Sequence, residues 1–255
     1  MPYEIETIPC LQDNYAFLIG NLETREAAIV DVPDAGPIND ALTARGWTLT
    51  TVLLTHHHWD HVDGLDDLAN RENLKVIGAE ADAHRLPPLS KALKDGDTID
   101  ILGTPTRIFD VSGHTLGHIA FHMPDLDAVF TADSLMALGC GRLFEGTPAQ
   151  MHESLGKFET FPEDTIVYSG HEYASTNAKF ALTIEPDNAA LISRSNAIQT
   201  ARGDDRPTVP TSLKLERATN PFLRAHVPQI ADHLGMNGVT PVEIFTEIRK
   251  RRDNF

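Results

Sequence analysis

Two cysteines in 255 residues, Cys10 and Cys140, are too few for a disulfide framework, and they share no metal-ligand spacing. No run approaches the ~18 consecutive apolar residues of a membrane-spanning helix. The opening stretch MPYEIETIPC has neither a basic leader nor an apolar signal core. Positive charge is scarce as well: 21 Lys and Arg against 37 Asp and Glu leave a formal charge of −16. That balance excludes nucleic acid and anionic membrane as partners of the surface as a whole, because both need positive patches. It leaves room for a small anion held by a local basic cluster. Low-complexity segments and short-period repeats are missing too. A reduced, cytoplasmic protein is expected, and with nothing pointing to an oligomer, a monomer.

What is present reads as a layered α/β fold. An apolar fraction of 41% and a charged fraction of 23% are those of an ordinary globular chain. Up to about Gly170, short β-rich runs alternate with helical or turn-rich segments. The runs are Ala27 to Val32, Thr51 to Leu54, Lys75 to Ile77, Thr106 to Val111, Ala128 to Thr131 and Thr165 to Tyr168. LKDGDTI, around Asp95-Gly96, reads as a tight turn between strands. After about Glu172 the spacing becomes helical, in NAKFALTI and DNAALISRSNAIQTA, with the Pro-rich connection RGDDRPTVPTS between helices. Thr240, Pro241 and Glu243 predict a capped last helix that turns Val242, Phe245 and Ile248 to one face. The expected domains are therefore 1–172 and a helical 173–255.

Metal-binding side chains follow the apolar runs. TVLLT leads into His56, His58, Asp60 and His61; RIFDVSG leads into His114; AVFTA is followed by Asp133 and TIVYSG by His171. Sites in layered α/β folds are built at strand C-terminal ends, where several strands converge. Imidazole and carboxylate suit zinc, manganese or iron. These seven side chains suffice for two ions, with three imidazoles on one, a carboxylate and two imidazoles on the other, and Asp133 bridging. Two ions ~3.5–4 Å apart can hold a hydroxide between them near neutral pH, which is hydrolase chemistry.

The HxHxDH motif, with His114, Asp133 and His171, resembles the metallo-β-lactamase superfamily. LQDNYAFLIG, GHTLGHIAFH, GCGRLFEGTPAQM, SGHEYASTNAKFAL and the terminal RKRRDNF resemble, more narrowly, the glyoxalase II family of hydroxyacylglutathione hydrolases, over essentially the whole chain. The resemblance implies an αββα sandwich with a smaller C-terminal α-helical domain covering the substrate. It implies hydrolysis of S-(2-hydroxyacyl)glutathione, typically S-D-lactoylglutathione, to glutathione and a 2-hydroxy acid in methylglyoxal detoxification. By position, His56, His58 and His114 would hold the first ion and Asp60, His61 and His171 the second, with Asp133 bridging. The ions expected are zinc, with iron or manganese as alternatives. A bridging hydroxide would attack the thioester carbonyl, with Asp60 and Asp133 as the catalytic carboxylates.

Glutathione carries two carboxylates, so an acidic protein must present local positive charge to it. Arginine suits carboxylates through its planar fork. By resemblance Arg142, Phe144, Tyr173, Arg249 and Arg252 are the substrate contacts. Phe144 departs from the tyrosine common in eukaryotic members, so it offers apolar contact without a hydroxyl. His57, inside the motif, is expected to support the ligands, Trp59 to pack beneath the loop, and Cys140 to pack near the site. Asp63, Asp66 and Asp67 are expected to open the following helix. The alternative function is a mononuclear iron persulfide dioxygenase, also glutathione-linked. Its group lacks a long helical C-terminal unit, so the last eighty or so residues count against it.

Overall fold

The computed structural model describes residues 2–255. The chain divides into two compact units, one running to Val111 and resuming over Leu116–Ala132, the other formed by Ser112–Thr115 and Asp133–Phe255.

The first unit contains two sheets. One has the order β1 (Tyr3–Cys10), β2 (Asn14–Asn21), β3 (Glu26–Val30), β4 (Thr48–Leu53), β5 (Lys75–Ala79), β6 (Lys91–Leu93). Its first two pairings are antiparallel and the next three parallel. β2, NYAFLIGN, is buried along its whole length, as befits a near-continuous apolar run covered on both faces. The crossover from β3 to β4 is α1 (Ala35–Arg45). Asp34 caps it by accepting from Gly36 N at 2.9 Å, and Gly46 ends it in the left-handed region at φ 62°. Ile38 and Leu42 on its inner face join Leu18, Ile29 and Val52 of the sheet in one core.

The other strands of this unit are β7 (Thr98–Ile101), β8 (Thr104–Asp110), β9 (Ile119–Met123) and β10 (Ala128–Ala132), each antiparallel to the next. Leu102 and Gly103, both at positive φ, form the two-residue turn of the β7–β8 hairpin. Phe17 of β2 meets Phe130 of β10 at 5.9 Å between ring centres, so the two sheets pack face to face. The LKDGDTI turn is present, with Gly96 at φ 83°, but β6 and β7 pair with β5 and β8 rather than with each other. It passes the chain from one sheet to the other and is not a hairpin. The expected strands all form, with ends displaced by up to three residues.

The second unit is mainly helical. It contains the small hairpin of β11 (Leu135–Met136) with β12 (Gly139–Cys140), and the pair β13 (Ile166–Ser169) with β14 (Thr211–Ser212). Its helices are α3 (Pro148–Gly156), α4 (Ala174–Ile184), α5 (Ala189–Gly203), α6 (Leu213–Thr219), α7 (Pro228–Leu234) and α8 (Pro241–Asp253), α2 being a single turn in the first unit, Trp59–Val62. The capping box of α8 forms as expected. Its buried face is Ile244, Phe245, Ile248 and Arg249, while Val242 is only half-buried. Phe222 lies between Phe180 (6.3 Å) and Phe245 (5.3 Å) at the centre of this core. Truncating a buried phenylalanine here would cost about 3–5 kcal/mol. Among the described residues, no helix is long and apolar enough to cross a membrane.

Candidate metal centre

In the first unit, β4 ends at Leu53 and the chain enters the motif through buried Leu54 and Thr55. His56 and His61 are fully buried, whereas His58 and Asp60 are half-exposed. His58 is extended (φ −62°, ψ 143°) and precedes the single turn of α2, which brings Asp60 and His61 round after it. The His56 ring lies 4.7 Å from that of His58 and 4.2 Å from that of His61.

Hydrogen bonding sets which ring nitrogen carries the proton. Asp31 is buried; its Oδ1 accepts from Thr55 N (2.9 Å) and its Oδ2 from Thr55 Oγ1 (2.8 Å). His61 Nδ1 lies 2.8 Å from the same Oδ2. A carboxylate only accepts, so His61 Nδ1 donates and Nε2 bears the lone pair. Because the Thr55 hydroxyl gives its proton to Asp31, it accepts from His56 Nδ1 at 3.0 Å, which puts the His56 lone pair on Nε2 as well. Metal-ligating histidines are commonly oriented by such outer hydrogen bonds. Asp31, His56 and His61 themselves form a His/Asp group with ligand atoms within 4.8 Å of one another. Both Asp31 oxygens are committed to Thr55 and His61, so its chemistry is that of an orienting group. Asn14 Nδ2 donates to Asp60 Oδ2 (3.1 Å) and to the Asp60 carbonyl (2.9 Å).

In the second unit, His114 Nδ1 donates to the Arg142 carbonyl at 2.7 Å, leaving Nε2 as its basic nitrogen. Asp133 is buried, and its Oδ2 lies 3.3 Å from both His114 Nε2 and His171 Nε2. Two imidazoles thus converge on one carboxylate oxygen. The chain after β12 passes so close that a Cβ at Gly141 would lie 1.9 Å from the Asp133 carbonyl oxygen and 3.0 Å from His114 Nδ1. Only glycine allows that approach.

The expected substrate contacts all lie in this second unit. Phe144, 61% exposed, turns its ring edge to His114 at 5.3 Å, and the Arg142 guanidinium lies 5.6 Å from the Phe144 ring centre. Tyr173 stacks on His171 (4.7 Å, 7° between planes). Arg252 is half-buried over Phe180 and donates to Asn177 Oδ1 at 3.2 Å. Arg249 differs. It is buried, with Nη1 on the Cys140 carbonyl (3.1 Å) and Nη2 on Asp253 (2.8 Å).

His57 supports its loop by pairing Nδ1 with the buried Asp82 at 2.7 Å. Cys140 packs as expected, and burial pushes its thiol up to about 11. Two expectations are corrected. Trp59 is 64% exposed because it opens the α2 turn on its outer side, so it does not pack beneath the loop. Asp63, Asp66 and Asp67 lie in a five-residue 3-10 segment, not at the start of an α-helix. No sequence signal marks Asn14 or Asn177 as a partner of the site, and the one signal for Asp31 is a charged residue inside the apolar run Ala27 to Val32.

Comparison with known proteins gives concordant results. Residues 14–171 match the family model of the metallo-beta-lactamase superfamily, and residues 172–255 match that of the hydroxyacylglutathione hydrolase C-terminus. A hydroxyacylglutathione hydrolase of Ruegeria pomeroyi is 60% identical over 255 residues, covering 100% of both chains. One from Jannaschia sp. is 61% identical over 252 residues, covering 99% of this chain and 98% of its own. Among solved structures, the B3 metallo-beta-lactamase BLEG-1 superposes with a TM-score of 0.67 at 21% identity, over 86% of this chain and 99% of its own. ETHE1 from Myxococcus xanthus gives 0.62 at 24% identity, over 99% and 98%. These two likenesses concern the fold.

Proposed function

The chain belongs to the hydroxyacylglutathione hydrolases of the metallo-β-lactamase superfamily, and from that premise we propose the substrate, the ligand set and the division of labour that follow. It is a metallo-hydrolase with the metallo-β-lactamase fold and a C-terminal helical region. Its substrate is an S-(2-hydroxyacyl)glutathione, typically S-D-lactoylglutathione, which water splits into glutathione and D-lactate. Residues 1–172 carry the chemistry together with the Arg142 and Phe144 contacts, and residues 173–255 the remaining substrate contacts. The reading places the protein in the cytoplasm as a monomer; both cysteines are free and buried, in keeping with a reducing compartment.

The donor set fits divalent ions of the zinc, iron or manganese kind: imidazoles, those of His56, His61 and His114 with Nδ1 engaged and Nε2 basic, and carboxylates. His56, His58 and His114 are assigned to one ion, Asp60, His61 and His171 to a second, and Asp133 to both. When bound, the ions supply Lewis acidity and a water acidic enough to act as nucleophile near neutral pH. The residues do the rest. Asp31 and Thr55 hold His61 and His56 with Nε2 basic, and the Arg142 carbonyl does the same for His114. Asn14 keeps the Asp60 carboxylate oriented. Arg142, Tyr173, Arg249 and Arg252 receive the glutathione moiety, and Phe144 gives it apolar contact only. Arg249 also fixes the Cys140–Gly141 backbone that leads into Arg142.

The observation that carries the reading is the convergence of His114 and His171 on one Asp133 oxygen, in a chain whose residues 172–255 match the hydroxyacylglutathione hydrolase C-terminus. The test compares two substrates on the metal-loaded protein. Free thiol released stoichiometrically from S-D-lactoylglutathione is the expected result. Oxygen consumption with glutathione persulfide, without thioester cleavage, would overturn it in favour of a dioxygenase.

A further inference from the structure

Asn177 sits on α4, 4% exposed, at a helix position that asparagine does not favour. Its amide is used at both ends. Nδ2 donates to the Ala137 carbonyl in the β11–β12 hairpin at 3.0 Å, and Oδ1 accepts from Arg252 Nη2 at 3.2 Å and Nε at 3.4 Å. The orientation is unambiguous, because a guanidinium only donates and a peptide carbonyl only accepts. The hairpin packs against this amide so tightly that a Cβ at Gly139 would lie 2.7 Å from Asn177 Nδ2.

The two arginines of α8 have different electrostatic situations. Arg249 is neutralised by Asp253 and capped by the Cys140 and Gly141 carbonyls. Arg252 makes no ion pair among the described residues. Burial and the charge of Arg249 both push its pKa down, so a half-buried cation is held by a neutral amide and the face of Phe180. A guanidinium in that state has unspent donors, and Asp253, the carboxylate that acts on it, is paired with Arg249.

We infer that Asn177 is a positioning residue for substrate binding: its amide fixes the Arg252 guanidinium to the hairpin that leads to Arg142, so that Arg252 is aimed to accept a carboxylate of the substrate. The inference rests on the glutathione-thioester reading. It assigns the orientation of Arg252 toward that carboxylate to Asn177.

The experiment is a double-variant cycle of Asn177→Ala and Arg252→Ala in the metal-loaded enzyme. Each protein is assayed on S-D-lactoylglutathione and on the same thioester with its carboxylates blocked as ethyl esters. Asn177→Ala should raise KM about tenfold with kcat and metal content unchanged, and should have no effect on the blocked substrate. The double variant should be no worse than Arg252→Ala alone, since coupled residues are not additive. Additive losses, or equal losses on both substrates, overturn the inference. If Asn177→Ala does not fold, the near-isosteric Asn177→Asp carries the test: its carboxylate occupies Arg252, so KM should rise further at constant kcat, and an unchanged KM overturns the inference. A wild-type enzyme that cleaves both substrates equally well likewise overturns the inference, whereas one that cleaves neither removes the reading beneath it.

Discussion

Replacing Asp31 separates orientation of the proposed metal ligands from stability of the fold. The buried carboxylate receives three donors: Thr55 N, Thr55 Oγ1 and His61 Nδ1. Its backbone is left-handed at φ 57°, which asparagine tolerates and alanine resists. In Asp31→Ala all three buried donors lose their acceptor, at ~1–3 kcal/mol for each that finds no water. Asp31→Asn is the sharper perturbation. The lower-energy turn of its amide keeps the oxygen on Thr55 N and points the NH2 at His61 Nδ1. Two donors cannot face each other, so the His61 proton moves to Nε2, the nitrogen a metal needs. Losing such an orienting partner typically costs 10–100-fold in metal affinity. Asp31→Asn should therefore lose about as much affinity as Asp31→Ala while keeping more of the apo-protein's stability. Competition titration with a chromophoric chelator reads the first quantity and urea unfolding of the apo-protein the second. Full metal affinity in Asp31→Asn would refute the tautomer argument.

Further predictions concern the second unit and the pH response. Glu216 is buried, paired with Arg194, and accepts from Leu138 N at 2.9 Å. Glu216→Ala strands a buried guanidinium and should cost about 3–5 kcal/mol in urea unfolding, with Glu216→Gln milder; a loss below about 1 kcal/mol for the alanine variant would contradict this. Burial, with Arg107 adding to it, lowers the His122 pKa to about 4. The unfolded chain takes up that proton below about 6.5 and the folded chain does not, so stability is complete above 6.5 and is lost as pH falls towards 4. The melting temperature of His122→Gln relative to wild type should accordingly rise across that window, and a constant difference would exclude the effect.

The candidate ligands are legible in the sequence as side chains at the ends of apolar runs, because both the period of the runs and the residue types after them are local signals. The partners that tune those ligands are not. Asp31 and His61 meet at 2.8 Å from thirty positions apart, through a left-handed residue that the apolar run Ala27 to Val32 conceals. Arg249 and Arg252 look equivalent in RKRR, yet one faces carbonyls and Asp253 and the other an amide. Asn177 had no pattern to betray it, because its two partners come from a hairpin and from α8. A large ring suggests burial for Trp59, but a one-turn helix leaves its outer side in water. The turn after β6 was placed correctly, but its strand partners depend on sheet assignment, which local sequence does not encode.

Metal content and turnover, measured together in wild type and in Asp133→Ala, test the binuclear site most directly. Close to two ions per wild-type chain with rapid hydrolysis of S-D-lactoylglutathione are expected, and in Asp133→Ala loss of both bound metal and activity. An Asp133→Ala protein that keeps two ions and full turnover, or a wild-type protein fully active with one, would contradict a bridging Asp133.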